Sequence, residues 1–161
     1  MTKINTTTVN KESFMSAMKC WPSGVVVVTA NYNGALYGFS ACSFVGISLD
    51  PALVSFSKDN SAASIKSYLE SEYFGVSILS ENQIEVLKTF GSKIPNKFDN
   101  HEYILGEKTK SPLIVGASCH FECKRVGTHP AGDHTIIVGE VLSIDNNNVK
   151  NNMKSFLYNY S

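Results

Sequence analysis

Short apolar runs separated by turn signals dominate this chain, a pattern that predicts strands joined by tight connections. Residues 25–29, Val-Val-Val-Val-Thr, are apolar on both faces and indicate a buried strand. Asn33-Gly34 is a strong turn signal, after which a second strand is predicted over residues 36–49. Asp50-Pro51 interrupts the pattern before a third strand over residues 52–57. Because a parallel crossover needs about a dozen residues, these three strands should be antiparallel neighbours.

Helical spacing predicts a short first helix that Asn10 can cap. A second helix should start within residues 58–61, because Ile65, Tyr68 and Leu69 then share one apolar face. The sequence Ser80-x-x-Gln83 has the pattern of a capping box for a third helix, with Gly91 at its C′ position. The residues of this third helix that should point inward are Ile84, Leu87 and Phe90.

Three further strands are predicted over residues 73–79, 117–127 and 134–144, with residues 92–115 rich in loops. A hairpin loop over residues 129–133 should join the last two strands. Six strands in mostly hairpin order, with a few helices, predict a mainly β fold with an antiparallel barrel rather than a doubly wound α/β fold.

Residues 1–145 are predicted to form one domain, and residues 146–161 a C-terminal arm. Four large apolar residues of the arm recur at helical spacing, namely Met153, Phe156, Leu157 and Tyr160. Such a face would pack on the body of the protein or on a partner subunit.

The composition and charge of the chain argue against several classes of protein. The chain has 161 residues, 43% apolar, with 14 basic and 14 acidic residues that leave a net charge of zero. This balance argues against a nucleic-acid partner and against an anionic membrane surface. No apolar run approaches the ~20 residues of a membrane span, and the N-terminus lacks the apolar core of a signal peptide. We therefore expect a cytoplasmic protein.

The four cysteines, Cys20, Cys42, Cys119 and Cys123, are expected to be free thiols. Cys119 and Cys123 lie in a strand-like run, where four positions span roughly 13 Å. That separation is too long for a shared zinc or a disulfide, so no metal site is predicted.

The residues Ser40, Ala41, Cys42 and Ser43 are small for a strand interior. They would let a flat ring approach the backbone, or let the strand pack tightly under a helix.

Residues 55–64 combine hydroxyls, amides and Lys58 at a predicted helix start. Such a segment can bind a phosphate, or its Asn60 or Ser61 can simply cap the helix.

The sequence Gly132-Asp133-His134 opens the last strand, and Asp133 could orient His134 for proton movement or hydrogen bonding. The alternatives are an ordinary turn with a half-exposed histidine, or a pairing of His134 with Cys42 as nucleophile. No G-x-G-x-x-G, P-loop or G-x-S-x-G motif is present.

Taken in order, these segments resemble the flavin reductase family, which has the FMN-binding split-barrel fold. The similarity runs through residues 23–29, 38–44, 48–54, 58–64, 74–80 and 132–141, and extends over roughly residues 12–145. The order and spacing of the segments carry the resemblance.

The resemblance implies a flavin site in which residues 38–44 lie along the isoalloxazine and residues 55–58 contact its edge and the ribityl chain. Its cofactor-binding residues would be Gly38, Phe39, Ser40, Ala41, Cys42, Ser43, Ser55, Phe56, Ser57, Lys58, Ser61, Ala62, Ser64, Phe90, Gly91 and Lys97. Ser61, Ala62 and Ser64 would surround the phosphate. Lys97-Phe98 stands where the family often has Arg-Phe, and His134 would be the catalytic residue, near the flavin or the nicotinamide.

The function implied is hydride transfer from NADH or NADPH to FMN or FAD by a homodimer, with reduced flavin passed to a monooxygenase or another acceptor. The alternatives are a flavoprotein that retains FMN and transfers electrons, like flavoredoxin, and a binding protein without catalysis.

Overall fold

A computed structural model describes residues 8–146. Three helices lie within these residues, α1 (Lys11–Met18), α2 (Ile65–Glu70) and α3 (Ile84–Gly91). The strands are β1 (Val26–Tyr32), β2 (Ala35–Ala41), β3 (Val45–Leu49), β4 (Ala52–Asp59), β5 (Tyr73–Ile78), β6 (Tyr103–Leu105), β7 (Pro112–Ile114), β8 (Cys119–Ala131) and β9 (His134–Asp145). Seven of them form one antiparallel sheet in the order β2-β1-β5-β8-β9-β4-β3, and β6 pairs with β7. The predicted mainly β, antiparallel class is confirmed.

The sheet curls into an open barrel because β2 and β3 occupy its two edges while only residues 42–44 join them. At this crossing the Ser43 hydroxyl accepts a hydrogen bond from the Ser57 amide at 2.9 Å. Across the same opening, the rings of Phe39 on β2 and Phe56 on β4 lie 5.8 Å apart. The prediction of one continuous strand over residues 36–49 is therefore wrong, because the chain leaves one edge of the sheet and rejoins it at the other.

Apolar side chains fill both faces of β1, as its sequence predicts. Inside the barrel, Val26 and Val28 pack with residues from all around the sheet, including Phe56, Phe74 and Ile137. On the outer face, a second cluster packs under α3; its members are Val25, Val27, Leu79, Leu87, Phe90 and Ile114. This outer cluster fixes α3 against the sheet.

The second helix begins later than predicted, at Ile65 with Ser64 as N-cap. Residues before it form a turn, because the Asp59 carboxylate accepts hydrogen bonds from the amide and the hydroxyl of Ser61, each at 2.7 Å. Neither Asn60 nor Ser61 caps a helix.

The third helix also differs at both ends. Its N-cap is Gln83, and of the expected capping box only one half forms, the Ser80 amide donating to Gln83 Oε1 at 3.1 Å. Ile84 is 44% exposed, so it does not point inward as Leu87 and Phe90 do. Gly91 is the last helical residue rather than the residue beyond the helix.

The hairpin between β8 and β9 is tighter than predicted. Residues 129–131 continue the β8 ladder opposite residues 134–136, which leaves only Gly132-Asp133 as the turn. Gly132 has φ +64°, a conformation that glycine adopts without steric cost.

The predicted arm, residues 147–161, lies outside the described residues. Within residues 8–146, no helix is long and apolar enough to cross a membrane.

Candidate functional site

A cleft of about 1000 Å³ opens between β2, the end of β4, the turn before α2, and the loop that follows α3. The structure brings ten of the sequence-predicted residues to its walls, namely Gly38, Phe39, Ser40, Lys58, Ser61, Ala62, Ser64, Phe90, Gly91 and Lys97. Residues far apart in sequence thus converge on one cavity of the size that cofactor sites commonly have.

Gly38 and Gly91 allow β2 and α3 to pack closely. A Cβ on Gly38 would lie 2.5 Å from Cε1 of Phe90 and 3.1 Å from Cζ of Phe98, and one on Gly91 would lie 3.0 Å from the Ser40 hydroxyl. The packing alternative therefore accounts for the small size of Gly38. A cofactor contact from this position would come from its backbone.

Lys58 is a buried cation that forms no ion pair with any described residue. Its residue is only 5% exposed, and its Nζ lies 3.6 Å from the ring centroid of Phe39 and 4.9 Å from that of Tyr68. Within the part of the chain that the structure describes, its ammonium makes no hydrogen bond or ion pair. Burial, and then the positive charge of Lys97, lower the pKa of Lys58 to about 8.

Lys97 connects the loop after α3 to the two elements beside it. Its ammonium donates to the carbonyl of Phe90 at 3.0 Å and to that of Gly38 at 3.4 Å. Burial lowers the pKa of Lys97. The lysine places a second positive charge in the cleft while holding β2 and α3 together.

The turn before α2 presents polar groups to the same cleft. Ser64 caps α2 without a side-chain hydrogen bond, so its hydroxyl is available to a ligand. The hydroxyl of Ser61 instead donates to Asp59, and these hydrogen bonds lower the pKa of that carboxyl. The turn therefore combines free donors with one ionised carboxylate that is already hydrogen-bonded.

Six predicted cofactor residues lie outside the cleft walls, namely Ala41, Cys42, Ser43, Ser55, Phe56 and Ser57. Ala41, Ser55 and Phe56 are buried, and Phe56 packs in the barrel interior against Phe39 and Phe74. Ser43 and Ser57 bond to each other at the crossing between the sheet edges. Their contacts with a cofactor stay predictions.

His134 lies beside the cleft but is not part of its wall. Its Nδ1 is 2.7 Å from the Asp133 carboxylate, and in the β4–β9 ladder it stands opposite Asp59, which does line the cleft. The carboxylate holds the ring by Nδ1, so Nε2 is the nitrogen available to another group. No hydrogen bond links His134 to Cys42 within residues 8–146.

Cys123 is fully buried in the barrel interior. Burial raises the pKa of Cys123 to about 12, which keeps it a thiol. Among the residues that the structure describes, no group of three or more His, Cys, Asp and Glu side chains could hold a metal ion.

Sequence reasoning missed the start of β2, Ala35, Leu36 and Tyr37, two residues of the turn before α2, Asp59 and Ala63, and most of the loop that follows α3. The missed lining residues of that loop are Ser92, Lys93, Ile94, Pro95, Asn96, Phe98 and Asp99, joined by Tyr103. Pro95 and the apolar residues around it, inside a segment read only as loop-rich, are the signal that could have indicated a structured wall.

The arrangement suits a ligand with a flat aromatic part and an anionic part. Aromatic rings from Phe39, Phe90 and Phe98 line the cleft, and three lysines, Lys58, Lys93 and Lys97, lie in it. A buried ammonium without a partner is costly, and an anionic ligand group would supply the missing counter-charge.

Comparison with known proteins identifies the family of this chain. Residues 18–160 match the family described as the flavin reductase like domain. The chain is 38% identical over 133 residues to the FMN reductase (NADH) SmoA of Agrobacterium fabrum, covering 83% of this chain and 75% of SmoA. It is 32% identical over 136 residues to HsaB of Mycobacterium tuberculosis, named as the reductase subunit of a flavin-dependent monooxygenase, covering 84% of this chain and 72% of HsaB.

A solved structure with the same fold is that of SgcE6 from Streptomyces globisporus, an NADH:FAD oxidoreductase in complex with NAD and FAD fragments. It is superposable with a TM-score of 0.80 at 30% identity, covering 88% of this chain and 87% of that one. The split-barrel fold and the family resemblance predicted from sequence are both confirmed. This protein therefore belongs to the flavin reductase-like family.

Proposed function

We propose that this protein transfers a hydride from NADH or NADPH to FMN or FAD, with the flavin bound in the cleft. The observation that carries the proposal is the buried, unpaired ammonium of Lys58 in an aromatic-lined cleft, within a chain of the flavin reductase-like family. SmoA is named as an NADH-dependent FMN reductase, and SgcE6 as an NADH:FAD oxidoreductase, which supports the same reaction here.

The residues present fit a flavin nucleotide. Lys58 and Lys97 supply positive charge, Ser64 supplies a free hydroxyl, and Phe39 and Phe90 supply apolar surface. The cleft would thus hold a planar ring system at its aromatic side and a phosphate near the lysines and the turn before α2.

A bound flavin supplies the redox chemistry as the acceptor of the hydride. The chain's own residues bind the flavin, orient it and shield it from water. The aromatic wall excludes water from one side, and the Lys97 ammonium fixes the cleft-lining loop against Gly38 and Phe90. His134, oriented by Asp133, would offer Nε2 as a positioning donor at the edge of the site.

Reduced flavin would pass to a monooxygenase partner, because HsaB is named as the reductase subunit of such a system. Two finer points stay predictions: a homodimer, which the family resemblance implies, and a cytoplasmic location, which the sequence pattern led us to expect. Exposed apolar side chains such as Leu49 and Trp21 support a further protein contact.

The reaction is tested by anaerobic mixing of the protein with FMN and either NADH or NADPH, while the absorbance of oxidised flavin is followed. We expect catalytic bleaching of flavin in large molar excess over protein, and the faster donor identifies the preferred nicotinamide. The control omits the protein, since nicotinamides reduce free flavin only slowly.

Bleaching of one equivalent only, with flavin retained through gel filtration, would contradict the reductase and favour an electron-transfer flavoprotein. Binding of flavin with no bleaching would contradict hydride transfer altogether. Failure to bind any flavin would overturn the proposed cleft as well.

A further inference from the structure

Lys58 differs from every other lysine whose contacts the structure describes. Lys66, Lys88 and Lys124 each pair with a glutamate on the surface, and Lys97 and Lys108 donate to backbone carbonyls. Lys58 is buried, makes none of these contacts, and lies over the rings of Phe39 and Tyr68. Aromatic faces stabilise a cation only partly when it is removed from water, so the charge lacks its main partner.

None of the described groups packed around Lys58 pairs with its ammonium. From α2, the Tyr68 hydroxyl donates to the carbonyl of Val28 at 3.1 Å, and burial raises its pKa well above the usual value, so it stays neutral. From β2 comes the uncharged ring of Phe39, and from the loop after α3 comes Lys97, which repels.

Asp59, the next residue on β4, points to the opposite face of the strand, where its carboxylate is bonded to Ser61 and faces His134. Asp59 also lines the cleft, and its negative charge offsets part of the lowering of the Lys58 pKa, but among the described residues it forms no ion pair with the Lys58 ammonium. The cleft lining carries three lysines, Lys58, Lys93 and Lys97, against two aspartates, Asp59 and Asp99, so it is net positive and suits an anionic ligand group.

We propose that Lys58 is a specificity-determining residue that makes the cleft select a flavin bearing a phosphate monoester, FMN, over riboflavin. This inference rests on the proposed function, because it takes the cleft to be the flavin site. The phosphate monoester carries close to two negative charges at pH 7, and it would meet the Lys58 and Lys97 ammonium groups together with the free hydroxyl of Ser64. Riboflavin has the same ring and ribityl chain but no phosphate, so it isolates the charge.

The experiment measures the dissociation constants of oxidised FMN and of riboflavin by flavin fluorescence, for the wild type and for three variants. Lys58→Met removes the charge and keeps an unbranched stem to pack on Phe39 and Tyr68. Lys58→Arg keeps the charge. Lys66→Met is the matched control, because it removes one positive charge from the exposed side of α2, away from the cleft.

We expect the wild type to bind FMN at least about tenfold more tightly than riboflavin, as one charge-assisted contact allows. Lys58→Met should weaken FMN binding about tenfold and change riboflavin binding less than twofold. Lys58→Arg should retain most of the preference for FMN, and Lys66→Met should leave both dissociation constants unchanged.

Equal losses for FMN and riboflavin in Lys58→Met would overturn the inference, because the lysine would then act on the ring or on packing. Flavin binding without any preference for FMN would also overturn it while leaving the proposed function intact. Absence of binding of either flavin to the wild type would overturn both.

A second measurement needs no variant. FMN affinity of the wild type should fall as the pH rises from 7 to 9, because Lys58 loses its proton near pH 8, whereas riboflavin affinity should stay level. The phosphate remains a dianion across this range, so the change reports on the protein. A preference for FMN that is independent of pH would overturn the inference even if Lys58→Met fails to fold.

Discussion

His134 is held by a single short contact, with Nδ1 2.7 Å from the Asp133 carboxylate. If Nε2 positions the nicotinamide or the flavin, His134→Ala should slow flavin reduction about tenfold without abolishing it, the effect of one lost hydrogen bond. Anaerobic stopped-flow measurement of flavin bleaching gives the rate. His129→Ala is the matched control, because His129 is exposed on the same hairpin and does not line the cleft. A full rate in His134→Ala would remove the histidine from the reaction.

At the scale of single residues, the sequence indicated Lys58 and Lys97 as cofactor-binding residues, but it did not predict that the Lys58 side chain is buried. The local sequence Ser57-Lys58-Asp59 reads as the polar end of a strand, which is normally exposed. Lys58 is buried because Phe39 and Tyr68, from β2 and α2, close over it. That burial depends on long-range contacts, which no local pattern encodes.

Among the secondary-structure elements, β2 and α3 form the most constrained contact near the cleft. Gly38→Ala should destabilise the protein by about 1–3 kcal/mol, because the new methyl group would lie 2.5 Å from Phe90 Cε1 in a packed core. Urea denaturation gives the change in the free energy of unfolding.

Gly46→Ala on β3 is its matched control, because a Cβ there meets nothing within 4 Å and its backbone needs no positive φ. We expect a change within about 0.5 kcal/mol. Equal stabilities for the two variants would show that α3 adjusts to the methyl group, and would contradict rigid packing between β2 and α3.

The existence and type of most elements could be predicted from the sequence, while several boundaries could not. The buried run at β1 and the Asn33-Gly34 turn follow from local pattern, and both occur. The break at residues 42–44 does not, because the chain there crosses from one edge of the curved sheet to the other, which is a long-range feature. The late start of α2 likewise reflects the hydrogen bonds that Asp59 makes to Ser61, which hold residues 59–61 in a turn.

For the molecule as a whole, a binding site for an anion carries a cost in stability. Below pH 8 Lys58 is protonated in the folded and the unfolded state, so the folded protein without flavin bears the full cost of burying the charge. Between pH 8 and 10.5 the folded state releases a proton that the unfolded state keeps, so the contribution of Lys58 becomes less unfavourable as pH rises. A pKa of about 8 in place of 10.5 corresponds to a cost of about 3 kcal/mol.

Lys58→Met should therefore be more stable than the wild type at pH 7, by up to about 3 kcal/mol, and the difference should shrink toward pH 9.5. Urea denaturation of the flavin-free wild type and variant, at pH 7 and at pH 9.5, measures their free energies of unfolding. Subtracting one protein's value from the other's at each pH cancels the contributions of the other groups that titrate in this range. Lys66→Met should stay within about 0.5 kcal/mol of the wild type at both pH values, since its ion pair with Glu70 is exposed.

Saturating FMN should stabilise the wild type more than Lys58→Met, because the phosphate neutralises the charge that the variant lacks. A variant no more stable than the wild type at pH 7 would mean that the aromatic rings already compensate the charge, so that Lys58 carries no cost for an anion to relieve.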